Sequence, residues 1–170
     1  MSPPETQAPE KPPEHHRLTT RDEVRAAVAA LFEQAQRQIL IFGPILERYY
    51  FNTARIEELM GKFIARHRTN RIRILTEDTH QVLLDNARFK QLAQRLPDCL
   101  SIRQVNEMHR GLKDMFVVAD RTGYVHLPDV ETFDGLTSTQ APRAALQFTR
   151  RFESMWEKSE PAPGLNTVGL

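Results

Sequence analysis

The sequence predicts an α/β domain with a mixed, mostly parallel sheet, flanking helices and a late β-hairpin. Short runs of β-branched and aromatic residues alternate with amphipathic segments of helical length as far as residue 105, and two later runs are separated only by turn residues. Connections of helical length favour parallel strands with right-handed crossovers, because the chain must return to the opposite end of the sheet. A short turn instead favours an antiparallel hairpin.

The first elements alternate between helix and strand. Thr20 and Glu23 form a capping box ahead of apolar residues that recur with helical spacing. The apolar run 38–42 is closed by a Gly-Pro pair and predicts a buried strand. An aromatic loop then leads to Asn52, which we expect to cap a second helix, and the run 71–75 predicts a second strand.

The later elements contain the hairpin. Asp78 and Thr79 follow the second predicted strand and are expected to open a third helix. Turn-forming residues at 120–123 separate two apolar runs, which predicts the hairpin. The remaining predicted elements are the third helix to about Leu96, strands at 100–105, 113–119 and 124–127, a loop containing Gly135, and a helix from about Ala141 to Lys158.

Composition divides the 170 residues into three segments. Residues 1–18 are rich in proline and charge and poor in aliphatic side chains, so burial cannot offset the entropy of ordering them. We therefore predict a disordered N-terminal arm over 1–18, one α/β domain over 19–158, and a loose C-terminal tail over 159–170.

Several features argue against export and against a membrane segment. The longest purely apolar run, 39–42, is far shorter than the roughly 18 residues of a membrane helix. The N-terminus lacks the basic start and apolar core of a signal peptide. The single cysteine, Cys99, cannot form an internal disulfide, which agrees with a reducing compartment. We expect a cytoplasmic protein.

The first hairpin strand carries a recognisable pattern. Asp120 follows four apolar residues, 116–119. Together with the order of elements, this pattern resembles one repeat of the phospholipase D superfamily, whose motif on this strand is His-x-Lys-x4-Asp. In that family the histidine is the nucleophile and the lysine binds the phosphate, and strand alternation places both on one face. Counting back from Asp120, Lys113 occupies the histidine position and Met115 the lysine position.

The resemblance implies a phospholipase D-like fold without the usual catalytic pair. A thioether cannot attract phosphate electrostatically, and a lysine amine is protonated at pH 7 unless its pKa is strongly lowered. The Gly-Ser-x-Asn stretch of the family is reduced to a remnant at Gly135–Ser138. The spacing that ends in Phe152 and Trp156 is similar to an uncharacterised bacterial family sometimes attached to acetyltransferases. Because repeats of the superfamily pair face to face, the resemblance also implies a homodimer.

Other polar residues suggest a rebuilt site. Asp78 and His80 follow a strand at the carboxyl edge of the sheet, where α/β proteins place their sites, although Asp78 also suits a helix cap. His109 becomes a nucleophile only if the next strand bulges, and is otherwise an exposed loop residue. The candidates for ligand binding are Asp78, His80, Tyr50 and His126, and those for catalysis are Lys113, Asp120 and His109.

Three functions stay open. The missing pair favours a non-catalytic module that binds or assembles with a second copy or another protein. A hydrolase or transferase would need Asp78, His80, His109 and Lys113 to converge. Nucleic-acid binding, against which the net charge of +1 weighs, would need arginines to gather on one face: Arg66, Arg68, Arg71, Arg73, Arg150 and Arg151. There is no P-loop, dinucleotide motif or zinc spacing, so we expect no cofactor and no metal.

Overall fold

The computed structural model describes residues 12–163 and residue 165. None of the helices in these residues has the length and apolarity that crossing a membrane requires. The strands are β1 (His16–Leu18), β2 (Gln38–Gly43), β3 (Arg71–Thr76), β4 (Leu100–Gln104), β5 (Met115–Ala119), β6 (Gly123–Leu127), β7 (Gly135–Ser138) and β8 (Glu160–Pro161). The helices are α1 (Arg21–Gln34), α2 (Arg48–Phe51), α3 (Ala54–Arg66), α4 (Thr79–Asp85), α5 (Ala87–Arg95) and α6 (Pro142–Glu157), with a 3₁₀ turn at Glu107–His109.

The strands form one sheet in the order β1-β7-β6-β5-β2-β3-β4-β8. Parallel pairing joins β2 to β3 and β3 to β4, which are connected through helices. The other neighbouring strands in the described sheet are antiparallel. The mixed sheet, flanking helices and late hairpin are therefore confirmed. The sequence predicts a mostly parallel sheet, but antiparallel pairs of strands outnumber parallel ones. One reason is that β5 follows β4 through a loop and runs beside β2 in the opposite direction.

Two apolar layers lie on opposite sides of the sheet, because successive strand residues face opposite sides. On one side, Ile39 and Ile41 pack in a core that includes residues of α1, α3, α4 and α5. On the other side, Leu40 and Phe42 pack against α6 residues such as Phe152. We call this second side the α6 face.

The helix starts follow side-chain chemistry. The capping box at Thr20 opens α1 as predicted. Thr53, and not Asn52, caps α3, because its hydroxyl accepts a hydrogen bond from the Ile56 N–H at 3.1 Å. The Asn52 side chain instead accepts from the backbone N–H of Arg88 at 3.3 Å. The predicted aromatic loop before it contains the short helix α2.

The predicted third helix is divided into α4 and α5 at Asn86. This residue is buried, and its side-chain amide donates to the carbonyl oxygens of Val82 and Leu46, each at 3.0 Å. The bond to Leu46 ties the break to the segment after β2. The break between α4 and α5 therefore lets Asn86 hold the loop after β2 through the Leu46 carbonyl oxygen, a contact that a continuous helix would not make.

The predicted loop around Gly135 begins with strand β7. Gly135 approaches the hairpin so closely that a Cβ atom there would lie 2.4 Å from the carbonyl oxygen of His126. Glycine is required for this approach, and its low strand preference hides the strand in the sequence.

Both ends of the predicted domain differ from the sequence-based boundaries. The predicted disordered arm includes His16–Leu18, but these residues form β1, which pairs with β7. The predicted loose tail includes Glu160–Pro161, but these residues pair with β4, and Ala162 is buried against the core. These segments are held by backbone pairing, which short polar stretches do not reveal in a sequence. The rest of the predicted arm, 1–11, and tail residues 164 and 166–170 lie outside the described residues.

Candidate functional site

The direction of β5 separates the predicted catalytic positions. Because β5 runs antiparallel to β2, Phe116 pairs with Phe42 near the carboxyl end of β2, whereas Ala119 pairs with Ile39 near its start. The beginning of β5 therefore lies at the carboxyl edge of the parallel strands. Asp120, which follows β5, lies at the opposite edge, away from the loops expected to form a cleft.

Asp120 binds the protein backbone. Its carboxylate accepts hydrogen bonds from the N–H groups of Gln36 at 2.9 Å, Arg37 at 2.7 Å and Gln38 at 3.1 Å. Its φ of 55° is in the left-handed region, which aspartate tolerates better than most residues. The acidic residue of the family-like pattern thus fixes the turn between α1 and β2, and the structure shows it in this anchoring role.

The two positions that the resemblance aligns with the family's histidine and lysine have opposite environments. Lys113 is exposed, and its carbonyl oxygen accepts from the Val130 N–H at 2.9 Å. Met115 is only 1% exposed and belongs to the core under the helices α1 to α5. It lies beside Gly43, where a Cβ atom would be 3.3 Å from the Met115 Cγ. The position that aligns with the lysine of the family motif is therefore occupied by the buried side chain of Met115.

The residues proposed for a rebuilt site are not joined to one another. Asp78 caps α4, accepting from the Gln81 N–H at 3.0 Å, which agrees with the capping alternative. His80 is exposed on α4, while the Nδ1 atom of His109 is buried without a hydrogen-bond partner among the described residues. Within the described part of the chain, no hydrogen bond or ion pair links Asp78, His80, His109 and Lys113 to each other.

Tyr50 is a core residue. Its side chain is 3% exposed and packs edge-on against Phe51. Burial raises the pKa of its hydroxyl, and the nearby Glu47 carboxylate adds to this effect although Arg21 opposes it. A neutral, enclosed phenol has little capacity to bind a ligand from solvent. Among residues 12–163 and 165, no group of three or more metal-ligating side chains is found either.

A polar cluster that the sequence did not predict lies on the α6 face. Asp114, directly before β5, receives two hydrogen bonds from the guanidinium of Arg151 on α6, the Nη2 bond to Oδ1 being 2.7 Å long. His126 of β6 places Nε2 3.0 Å from the Asp114 Oδ2. We call these three residues the Asp114 cluster. The sequence predicts His126 as a ligand-binding residue and Arg151 as a nucleic-acid contact, but it does not predict Asp114 or the cluster, because these contacts span 12 and 37 positions.

Aromatic rings form the floor of the Asp114 cluster. The guanidinium carbon of Arg151 lies 5.4 Å from the ring centres of both Phe42 and Phe116. The ring of Phe148 lies 4.7 Å from that of His126. These contacts orient the polar groups and join α6 to three strands of the sheet, β2, β5 and β6.

The charge of Asp114 is stabilised by its partners. Burial alone would raise the pKa of the Asp114 carboxyl, but hydrogen bonds and attraction from Arg151 and His126 together outweigh it. The pKa therefore lies well below its usual range, and Asp114 stays ionised at neutral pH. A carboxylate paired with a guanidinium in this way is a weak general base, so the cluster suits structure better than proton transfer.

The arginines named for nucleic-acid binding do not gather on one face. Arg73 pairs with Glu153 of α6, and Arg151 belongs to the Asp114 cluster. Arg66 donates to the carbonyl oxygens of Ala35 and Glu33 near the other edge of the sheet. These guanidinium groups are occupied by partners within the protein, so this set does not form a single basic surface.

The family of the chain follows from comparison with family models. Residues 20–168 match a model described as Domain of unknown function (DUF7931). The chain belongs to the DUF7931 family. The match includes α1, the hairpin, α6 and the Asp114 cluster. No curated protein matches the DUF7931 chain.

Solved structures show which fold the DUF7931 chain adopts. It is similar to TrmBL2, an archaeal chromatin protein reported to show a novel mode of DNA binding, with TM-score 0.64 and 16% identity over 91% of this chain and 56% of TrmBL2. It is also similar to Nuc from Salmonella typhimurium, a phospholipase D family member, with TM-score 0.60 and 11% identity over 88% of this chain and 98% of Nuc. NucT from Helicobacter pylori is similar with TM-score 0.58 and 13% identity over 87% of this chain and 98% of NucT.

The DUF7931 chain thus spans just over half of TrmBL2 and nearly all of Nuc and NucT. At these identities the likeness concerns the fold alone. It confirms the phospholipase D-like fold that the order of elements predicted.

Replacing Asp114 with asparagine tests the charge cluster. At pH 7 we expect D114N to lower the free energy of unfolding by about 2 kcal/mol, because it removes charge-assisted hydrogen bonds and leaves Arg151 without its carboxylate. The folded pKa of Asp114 is depressed, so its contribution is complete above the unfolded pKa of about 3.9 and is lost as the pH falls towards the folded value. The difference between wild type and D114N should therefore shrink below about pH 4.

The control is E153Q, which breaks the ion pair with Arg73 at a site where the Glu153 side chain is 47% exposed. We expect a loss below about 1 kcal/mol for this pair. Urea unfolding at several pH values measures both variants. A D114N difference that stays constant into acid, or an equal loss in E153Q, would contradict the assignment.

Proposed function

We propose that the DUF7931 chain is a non-catalytic phospholipase D-like module that acts by binding or assembly, with a second copy of itself as the first candidate partner. The observation that carries this proposal is the burial of Met115, which is 1% exposed at the position where the family motif has its phosphate-binding lysine. A cation at this position would lose its hydration without gaining a partner. The fold is kept while the place for the chemistry is closed.

The remaining candidate nucleophile also supports a non-catalytic role. Lys113 is exposed, and among the described residues no side chain forms a hydrogen bond or ion pair with its amine. A lysine nucleophile needs a neighbouring group that activates it, and no such group contacts Lys113 in the described chain. Asp120, the third member of the pattern, is committed to the backbone of the α1–β2 turn.

A rebuilt hydrolase or transferase site has less support. Asp78 acts as a helix cap, Tyr50 is enclosed in the core, and the ionised Asp114 carboxylate forms an ion pair with Arg151. Each of these groups has a structural role that opposes acid-base chemistry. The similarity to TrmBL2, itself reported to bind DNA, supports binding as a use of this fold.

The α6 face offers a surface for assembly. In the described chain α6 is the only helix of this layer, whereas α1, α3, α4 and α5 contribute to the other. Leu136 of β7 pairs with His126 and so shares the α6 face, and it is 45% exposed. Leu146 on α6 is 47% exposed. Exposed leucines on a thinly covered sheet favour contact with another protein surface, and the family resemblance implies face-to-face pairing of copies.

Phosphodiester hydrolysis tests the non-catalytic part of the proposal. We expect purified wild-type protein and K113A to show equal, background rates with bis(p-nitrophenyl) phosphate and with phosphatidylcholine vesicles, because no nucleophile and phosphate-binding pair is present. Activity in the wild type that K113A removes would contradict it.

Sedimentation velocity tests the assembly part. We expect the wild type to sediment as a dimer at micromolar concentration, and L136E and L146E to shift it towards monomer, since each places a charge in the apolar contact. The matched control is L84E on α4, where Leu84 is 63% exposed on the other side of the sheet. A monomeric wild type, or dissociation by L84E to the same extent, would argue against pairing through the α6 face.

A further inference from the structure

Five arginines lie along the edge of the sheet that is remote from the Asp114 cluster. Three belong to the turns that precede β2 and β3 or join β5 to β6, one is the first residue of β3, and one lies in the first turn of α6. All five side chains are exposed: Arg37, Arg68, Arg71, Arg121 and Arg143. We call this set the arginine edge.

Backbone contacts hold the first members of the arginine edge together. The Arg71 N–H donates to the Arg37 carbonyl oxygen at 3.4 Å, and the Arg71 Nη1 donates to the Arg68 carbonyl oxygen at 2.9 Å. Arg121 follows Asp120, whose carboxylate accepts from the Arg37 N–H at 2.7 Å. These bonds place three loops side by side, so the positive charges form a row along the edge.

The start of α6 extends the row. The Ala141 N–H donates to the Thr122 carbonyl oxygen at 2.7 Å, which brings Arg143 next to the hairpin turn. From β3 to β6 the row crosses three strand spacings, or about 14 Å at the usual separation of strands. It ends beside an open cavity of about 1020 Å³ whose lining includes Arg143, His15 and His16.

These guanidinium groups are available to an outside anion. None of the five forms an ion pair with a carboxylate among the described residues. Glu33, which also lies at this edge, pairs with Arg55, and Asp120 is occupied by backbone N–H groups. Glu14 lines the cavity at the end of the row. The chain as a whole carries a formal net charge of +1, so attraction of an anion by these arginines would be local and not a property of the net charge.

We propose that the arginine edge binds the phosphate backbone of duplex nucleic acid without reading its sequence. One guanidinium group can donate two hydrogen bonds to two oxygens of the same phosphate. A row of arginines suits the regularly spaced phosphates of a duplex. Single strands are held largely by stacking on aromatic side chains. The one exposed aromatic residue in the described chain, Phe133, lies in the β6–β7 loop at the opposite edge. The inference goes beyond assembly, because Arg37, Arg68 and Arg121 lie in turns away from the leucines of the α6 face. Only Arg143 is close to one of those leucines, since it lies three residues before Leu146 on α6.

The proposal predicts steep salt dependence. Five phosphate contacts give a slope of roughly −4.5 for the logarithm of the binding constant against the logarithm of salt concentration. A fourfold rise in salt then weakens binding by roughly 500-fold. Fluorescence anisotropy measures this slope for the full chain with a labelled 20-base-pair DNA of mixed sequence. A second duplex of unrelated sequence should bind with similar affinity, because the contacts are to the phosphate backbone.

The decisive variant is R37Q/R68Q/R121Q, which removes three charges from the arginine edge. Its slope should fall to roughly −1.8, because each lost phosphate contact removes about 0.9 and two contacts remain. Arg71 is left in place because its side chain bonds to backbone carbonyl groups. The matched control, R48Q/K90Q/R110Q, removes the same charge at exposed positions away from this edge and should keep the slope of the wild type. Thermal unfolding verifies that both variants are folded.

Four results would overturn the proposal. The wild type could fail to bind duplex DNA at low salt, or bind with a slope near zero. The control variant could lose as much binding as the edge variant, which would make the attraction a matter of net charge. A single strand of equal length could bind more tightly than the duplex. Loss of binding in the edge variant alone, with the dimer unchanged in sedimentation, supports the proposal independently of assembly.

Discussion

The antiparallel pairing of β5 with β2 is the constraint on which the rest of the structure depends. It places β5 in the centre of the sheet, with Phe116 opposite Phe42 and Ala119 opposite Ile39. The residues before β5 therefore lie at the carboxyl edge of the parallel strands, and Asp120 lies at the other edge. The alternation of side chains along β5 then directs Met115 into one core and Asp114 and Phe116 towards α6. The burial of Met115 and the Asp114 cluster are consequences of this one register.

The two faces of β5 have opposite chemistry. Towards the helices α1 to α5, Met115 packs near Gly43 in an apolar layer where a charged ligand has no access. Towards α6, Asp114 is ionised and is held by Arg151 and His126 over aromatic rings. Charge is thus retained where it fixes a helix to the sheet, and is lost where the family motif uses it for chemistry. This distribution is the basis for the proposal that the phospholipase D-like fold of this chain serves a binding role.

Much of the fold, but little of the site, was predictable from the sequence. The strand at 38–42 and the cap at Thr20 depend on local patterns, which a sequence displays directly. Asp120 was assigned to catalysis because a motif records residue types, whereas its backbone bonds to Gln36 and Arg37 join distant positions. The Asp114 cluster and the arginine edge were missed for the same reason, since both arise from tertiary contacts. The strand at Gly135 was missed because close backbone approach favours a residue that strands usually exclude.

The burial of Met115 is the central claim, and oxidation of methionine by dilute hydrogen peroxide tests it most directly. Accessible thioethers become sulfoxides, and mass spectrometry of peptides gives the rate at each position. Met108 serves as the reference within the same molecule because it is 63% exposed, whereas Met115 is 1% exposed. The structure predicts rapid oxidation of Met108 and protection of Met115 until the protein unfolds. Oxidation of both residues at similar rates in the folded protein would show that the position is open, and would contradict a closed site.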